Sequence, residues 1–237
     1  MKNREPFILL FAAIYPTLLT LLYFVWLADS PGTFQKTTFL FGKAVQFSLP
    51  LLWVAFFCHE PWFLRRFSSG GVREAVGFGL LVFAATLVCH YVFLRFGPLS
   101  ENANAVGAIR SKVDAFGIGQ PALFILFGLF YTLVHSGLEE YYWRWFVFRR
   151  LARHIDRRGA IFLSSVAFMA HHVVLLGSYF GYGHWLTWFG SLGVAIGGAY
   201  WSWSYHRFDS IWPAWISHGI IDAALFTVGF LVLFHFA

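Results

Sequence analysis

The chain has 237 residues, of which 59% are hydrophobic, 22% aromatic and only 12% charged. Soluble domains carry about 25% charged residues, so this composition excludes an ordinary water-soluble enzyme and predicts an all-α, polytopic membrane helix bundle. The net charge of +6 does not point to nucleic acid, because the basic residues fall between apolar runs, where membrane topology accounts for them.

Read in order, the apolar runs predict about seven transmembrane helices (six to eight), at 7–27, 38–58, 75–96, 121–148, 159–176, 185–204 and 211–235. The first run is too long for a signal-peptide core, and Ala28-Asp29-Ser30 is a poor cleavage site, so it reads as a retained span. Cys58 and Cys89, the only cysteines, lie in apolar runs and read as buried free thiols. Residues 1–119 form an N-terminal part of three spans plus an external loop; residues 120–237 form a core of four spans. The loop 97–119 is rich in glycine and reads as irregular or partly helical. The basic stretch RRLARHIDRR at 149–158 reads as an anchor lying along anionic lipid. In the sixth run, Gly193 and Gly197 share a face that would admit a close helix neighbour. Trp185, Trp188, Trp201, Trp203, Trp212 and Trp215 read as interfacial belt residues.

The basic residues also set an orientation. Lys2, Arg4, Arg65, Arg66, Arg73, Arg149, Arg150, Arg153, Arg157, Arg158 and Arg207 fall on one side, against Lys36, Arg95, Arg110 and Lys112 on the other. The positive-inside rule therefore predicts a cytoplasmic N-terminus and an external C-terminus; the brevity of the chain suggests a prokaryotic inner or plasma membrane.

Most acids sit in loops or at span ends. Glu139, Glu140 and Asp222 do not; they lie inside apolar runs, as do Arg144, His135, His171, His172 and His218. A charge at the bilayer centre costs about 2.5–3.5 kcal/mol on insertion scales, so each is a functional candidate. Glu140 and Arg144 are four residues apart on one helix face and can pair, which a purely structural role would also explain. Glu139 is turned about 100° from Glu140 and shares a face with His135, a candidate supporting residue. His218 and Asp222 repeat the four-residue spacing. His172 follows Phe168 by four, while His171, on another face, reads as a packing or hydrogen-bonded histidine.

The three ordered patterns, Glu139-Glu140-x-x-x-Arg144, Phe168-x-x-x-His172 and His218-x-x-x-Asp222, resemble the motifs of the CAAX-processing and bacteriocin-processing (CPBP, or ABI) intramembrane proteases. The resemblance covers roughly residues 120–235 and leaves the first three spans without a motif. It implies an intramembrane endopeptidase in which Glu139 activates water with the help of His172. His218 and Asp222 would stabilise the oxyanion, and Glu140 and Arg144 would hold the site together. Asp222 is the awkward member, since some relatives carry Asn there and an aspartate donates only when protonated.

That reading implies a peptide or protein substrate at the membrane, with the bilayer itself as the other partner. No cofactor is expected. Zinc stays open, with Glu139, His172, His218 and Asp222 as its ligands, although no H-E-x-x-H pair is present. Two rivals belong to other classes: a non-catalytic immunity or scaffold protein of the same family, against which the intact motifs argue, and a proton-coupled transporter built on the same carboxylates and imidazoles.

Overall fold

The structure, a computed structural model, describes residues 4–58, 69–96 and 103–235, excepting the side chains of 93–96, 103–105 and 235. Lys2, Arg65, Arg66 and positions 97–102 of the long loop lie outside the described residues. Among the described residues every regular element is helical: α1 Glu5–Leu21, α2 Gly32–Trp53, α3 Val72–Phe96, α4 Ala103–Ala115, α5 Pro121–Phe130, α6 Ser136–Glu140, α7 Arg149–Leu151, α8 Arg157–Phe180, α9 Trp185–Phe208 and α10 Trp212–Phe230. Wider π-helical turns extend α1 over Leu22–Trp26, α2 over Val54–Cys58 and α10 over Leu231–His235, and two more flank α6, at Tyr131–His135 and Tyr141–Phe148.

Six helices among the described residues are long and apolar enough to cross a membrane: Glu5–Trp26, Gly32–Cys58, Val72–Val92, Pro121–Leu151, Arg157–Phe180 and Trp212–Phe234. The chain is thus an all-α polytopic membrane protein. The remaining run expected from the sequence forms α9, a helix of 24 residues that is long enough but not apolar enough to join the set. The reason is its inner face, where Thr187, Ser191, Ser202 and Ser204 are wholly buried. α9 nevertheless runs the full length of α8. Gly181, at φ 91°, makes the reversal after α8, and at the far end Arg157 Nη1 of α8 lies 2.9 Å from His206 Nε2 of α9.

By contacts the chain divides into two units: Met1–Phe67 with Glu139–Ile211, and Ser68–Leu138 with Trp212–Ala237. In the first, α8 packs most extensively on α9, and α1 on α8. The α8–α9 seam is not the glycine face expected from the sequence. Gly193 has nothing within 4 Å of a built Cβ, and Gly197 faces Trp201 of its own helix; Gly198 meets Ser165 and Phe168 of α8 instead. Ser164 Oγ and Ser202 Oγ lie 3.4 Å apart across the same seam. Asp156 caps α8 by accepting from the backbone N–H of Arg158 (3.0 Å) and Gly159 (3.2 Å).

α1 carries Pro16 in its interior. Proline has no N–H, so the carbonyl four residues back, that of Ala12, loses its helical donor. Tyr142 replaces it: its hydroxyl donates to Ala12 O at 2.7 Å, with the ring fully buried. The start of α1 is also tied down. Arg150 Nη1 lies 2.7 Å from Glu5 Oε1 and His154 Nε2 3.3 Å from Glu5 Oε2. Residue 5 and residues 150–154 therefore sit at the same end of the unit, as two segments on one membrane face should.

In the second unit α10 packs chiefly on α3. It also lies along α5, through Phe124 and Phe226, whose ring centres are 5.7 Å apart. Part of the loop 97–119 is helical, as α4, and Arg110 Nη2 donates to the carbonyl of Leu233 at 2.6 Å. Cys58 and Cys89 are both free thiols, half-buried rather than buried.

Removing the Tyr142 hydroxyl with Tyr142→Phe leaves the Ala12 carbonyl without a donor in an apolar setting. The expected loss is about 1–3 kcal/mol of stability, read as a lower thermal midpoint in detergent; an unchanged midpoint would show that the kink at Pro16 needs no outside donor.

Candidate active site

Glu139 and Glu140 occupy the last turn of α6, a five-residue α-helix between two π-helical stretches. Such stretches are rare and collect at functional sites, because the wider turn re-aims side chains and loosens the regular hydrogen bonding. Here the result is two adjacent carboxylates, both buried, in different surroundings.

Glu140 faces Arg144. The separation from Arg144 Nε to Glu140 Oε2 is 3.0 Å, and both side chains have zero exposure. The guanidinium also lies over the rings of Phe168 at 4.9 Å and Trp201 at 5.2 Å. Trp201 is 3% exposed, so it belongs to this core rather than to an interfacial belt. The belt reading fits Trp185 and Trp188 better, since both are exposed.

Glu139 faces α8. His171 Nε2 lies 3.9 Å from Glu139 Oε1. That is too long for a hydrogen bond but within reach of a charged pair. The His171 ring stacks on Trp143, 6.0 Å between centres and 3° from parallel. From the sequence His171 reads as a packing or hydrogen-bonded histidine; the stack agrees with packing, and the approach to Glu139 adds a charged neighbour. Spacing along α8 could not reveal this, because which of two adjacent histidines faces another helix depends on how α8 is rotated.

His172 stands beside it, the two rings 4.1 Å apart. His172 Nδ1 lies 3.1 Å from the carbonyl of Phe168. A carbonyl can only accept, so Nδ1 carries the hydrogen and Nε2 is the basic nitrogen of the neutral ring. Phe168 is the hub of this cluster: 1% exposed, it touches Trp143, His171, His172 and Trp201 with ring centres 4.9–6.0 Å away.

His218 and Asp222 belong to the other unit, on α10. His218 Nε2 lies 3.7 Å from Asp222 Oδ1, both largely shielded. A Cβ on Gly219 would come within 2.7 Å of the Thr132 carbonyl, so only glycine lets this turn of α10 approach the Tyr131–His135 stretch so closely. Trp215 adds a hydrogen bond from Nε1 to the Leu133 carbonyl, 3.1 Å. His135 stacks on Tyr131 with ring centres 4.4 Å apart. Among the described residues no group of three or more His, Cys, Asp or Glu gathers as a metal site would require. No step below passes through a metal.

Residues 121–224 match the family model described as type II CAAX prenyl endopeptidase Rce1-like. This segment is similar to that family. The match starts at the first residue of α5, ends within α10 and takes in all three motifs. It supports a CAAX-processing intramembrane protease at the level of the family, in agreement with the motif resemblance. No curated protein and no solved structure matches the chain.

The Glu140–Arg144 pair has no solvent exposure, so breaking it is expected to be severe. Glu140→Gln or Arg144→Met alone strands a buried group and should lower stability by about 3–5 kcal/mol, whereas Glu140→Leu with Arg144→Met should recover much of the loss. Thermal unfolding of the three variants in detergent tests this; single variants as stable as the parent would mean that the pair is not structural.

Proposed function

We propose that the chain is an intramembrane endopeptidase that hydrolyses a peptide bond of a membrane-associated or sorting-signal substrate, with Glu139 as the base that activates water. The observation that carries this reading is a buried carboxylate, Glu139, 3.9 Å from the imidazole of His171, whose ring packs on that of His172, inside a segment that matches a CAAX endopeptidase family. In this proposal a water gives a proton to Glu139 while its oxygen adds to the scissile carbonyl carbon. His172, basic at Nε2, holds the water, and the proton is then passed to the leaving amine. His218, oriented by Asp222, donates to the oxyanion. That role lets Asp222 remain ionised, since the imidazole and not the carboxylate provides the donor. Glu140 and Arg144 keep the Glu139 turn in place.

The N-terminus is proposed to lie on the cytoplasmic side of a prokaryotic plasma membrane, in keeping with the basic residues at 149–158 and the contact of that stretch with Glu5. The match to a CAAX prenyl endopeptidase family makes a C-terminal prenylated peptide the first substrate to try.

The test uses purified full-length protein in nanodiscs with internally quenched peptides, farnesylated and unmodified. Glu139→Gln is expected to lower the rate about 10²–10⁴-fold without loss of fold; a folded Glu139→Gln protein with parental activity would remove the basis of the proposal. His171→Phe keeps the stack on Trp143 and removes Nε2; a fall of about tenfold or more is expected, and parental activity would return His171 to a packing role. A strong chelator is expected to leave the rate unchanged. Loss on chelation with recovery on adding Zn²⁺ would replace the carboxylate-activated water with a metal-bound one.

A further inference from the structure

Apart from the catalytic cluster, the first unit contains an open groove of about 560 Å³ between α1 and α8, with Val147 and Leu151 at its side. Its lining is mostly aliphatic, and small residues such as Ala13, Ala167 and Ala170 leave the space between the helices unfilled. Leu10, Ile14 and Leu163 on its rim are 59%, 44% and 49% exposed, so it opens sideways. On α1 it extends from Pro6 to Thr17, about 16 Å at 1.5 Å per residue. One leaflet of the hydrocarbon core is about 15 Å deep, half of about 30 Å.

The shallow end of the groove is marked by charge. His154 lines it, and Glu5 beside it is engaged by Arg150 and His154. Asp156, the other acid nearby in sequence, caps α8. Arg4 and Arg153, next in sequence to Glu5 and His154, and Arg158 at the start of α8 have exposed side chains; Arg157, also exposed, lies against His206 of α9. Both acids are thus engaged, and the balance at the mouth is cationic.

We propose that this groove is a binding site for an anionic phospholipid, with one acyl chain along α1 and α8 and the phosphate among the arginines at the mouth. The depth matches one chain in one leaflet, and the charge selects an anionic headgroup over a zwitterionic one. The inference does not depend on the proteolytic reading, since none of these residues takes part in the proposed chemistry.

Native mass spectrometry of the full chain released from detergent tests it, with phosphatidylglycerol, phosphatidylcholine and glycerol 3-phosphate as probes. One phosphatidylglycerol should be retained at about one tenth of the concentration that phosphatidylcholine requires, and glycerol 3-phosphate should not displace it. Ala13→Trp fills the groove and should abolish the preference. Leu163→Trp, at a half-exposed position, should do the same if Ala13→Trp fails to fold. Arg153→Glu should reduce the preference with the groove left open. Equal retention of the two lipids would overturn the proposal, as would a preference unchanged by both tryptophan variants or displacement by glycerol 3-phosphate. A dimer that carries no lipid would assign the groove to a second copy of the chain, and would overturn it as well.

Discussion

The ion pair between Glu140 and Arg144 is the constraint around which the first unit is built. Two opposite charges with no exposure must be compensated locally, because no water reaches them to do so. The chain supplies that compensation with a 3.0 Å contact and two aromatic faces, those of Phe168 and Trp201, drawn from α8 and α9. Once the guanidinium is fixed, the turn that carries Glu140 is fixed, and with it the neighbouring Glu139. The second carboxylate thereby comes within 3.9 Å of the His171 imidazole of α8. A single structural pair accounts for why two adjacent glutamates do different things.

The sequence made visible whatever depends on near neighbours. Apolarity over runs of about twenty residues gave the helical membrane architecture, and four-residue spacing gave the two acid–base pairs, Glu140–Arg144 and His218–Asp222, that the structure contains. The spacing Phe168-x-x-x-His172 also has a physical counterpart, since the Phe168 carbonyl fixes the tautomer of His172.

What stayed hidden depends on contacts between distant parts of the chain. Nothing local tells that Trp201 leaves the interfacial set to cover an arginine, that Gly198 rather than Gly193 or Gly197 meets α8, or that His171 reaches Glu139. The π-helical turns on either side of α6 were equally invisible, because the same residues satisfy an α-helical pattern. α9 shows a further limit of composition. Its buried serines and threonine lower its hydropathy, although the helix runs alongside α8 from one end to the other.

The tether between Glu5 and Arg150 spans 145 positions of the chain, and the hydroxyl that bonds the Ala12 carbonyl comes from 130 positions after it. During synthesis the first helix must therefore wait in the lipid, with that carbonyl lacking its side-chain donor, until the fourth apolar run has been inserted. Assembly of the amino-terminal half is thus governed by late arrivals, and a chain halted before Tyr142 would present the translocation machinery with a helix that has no means of finishing its own backbone.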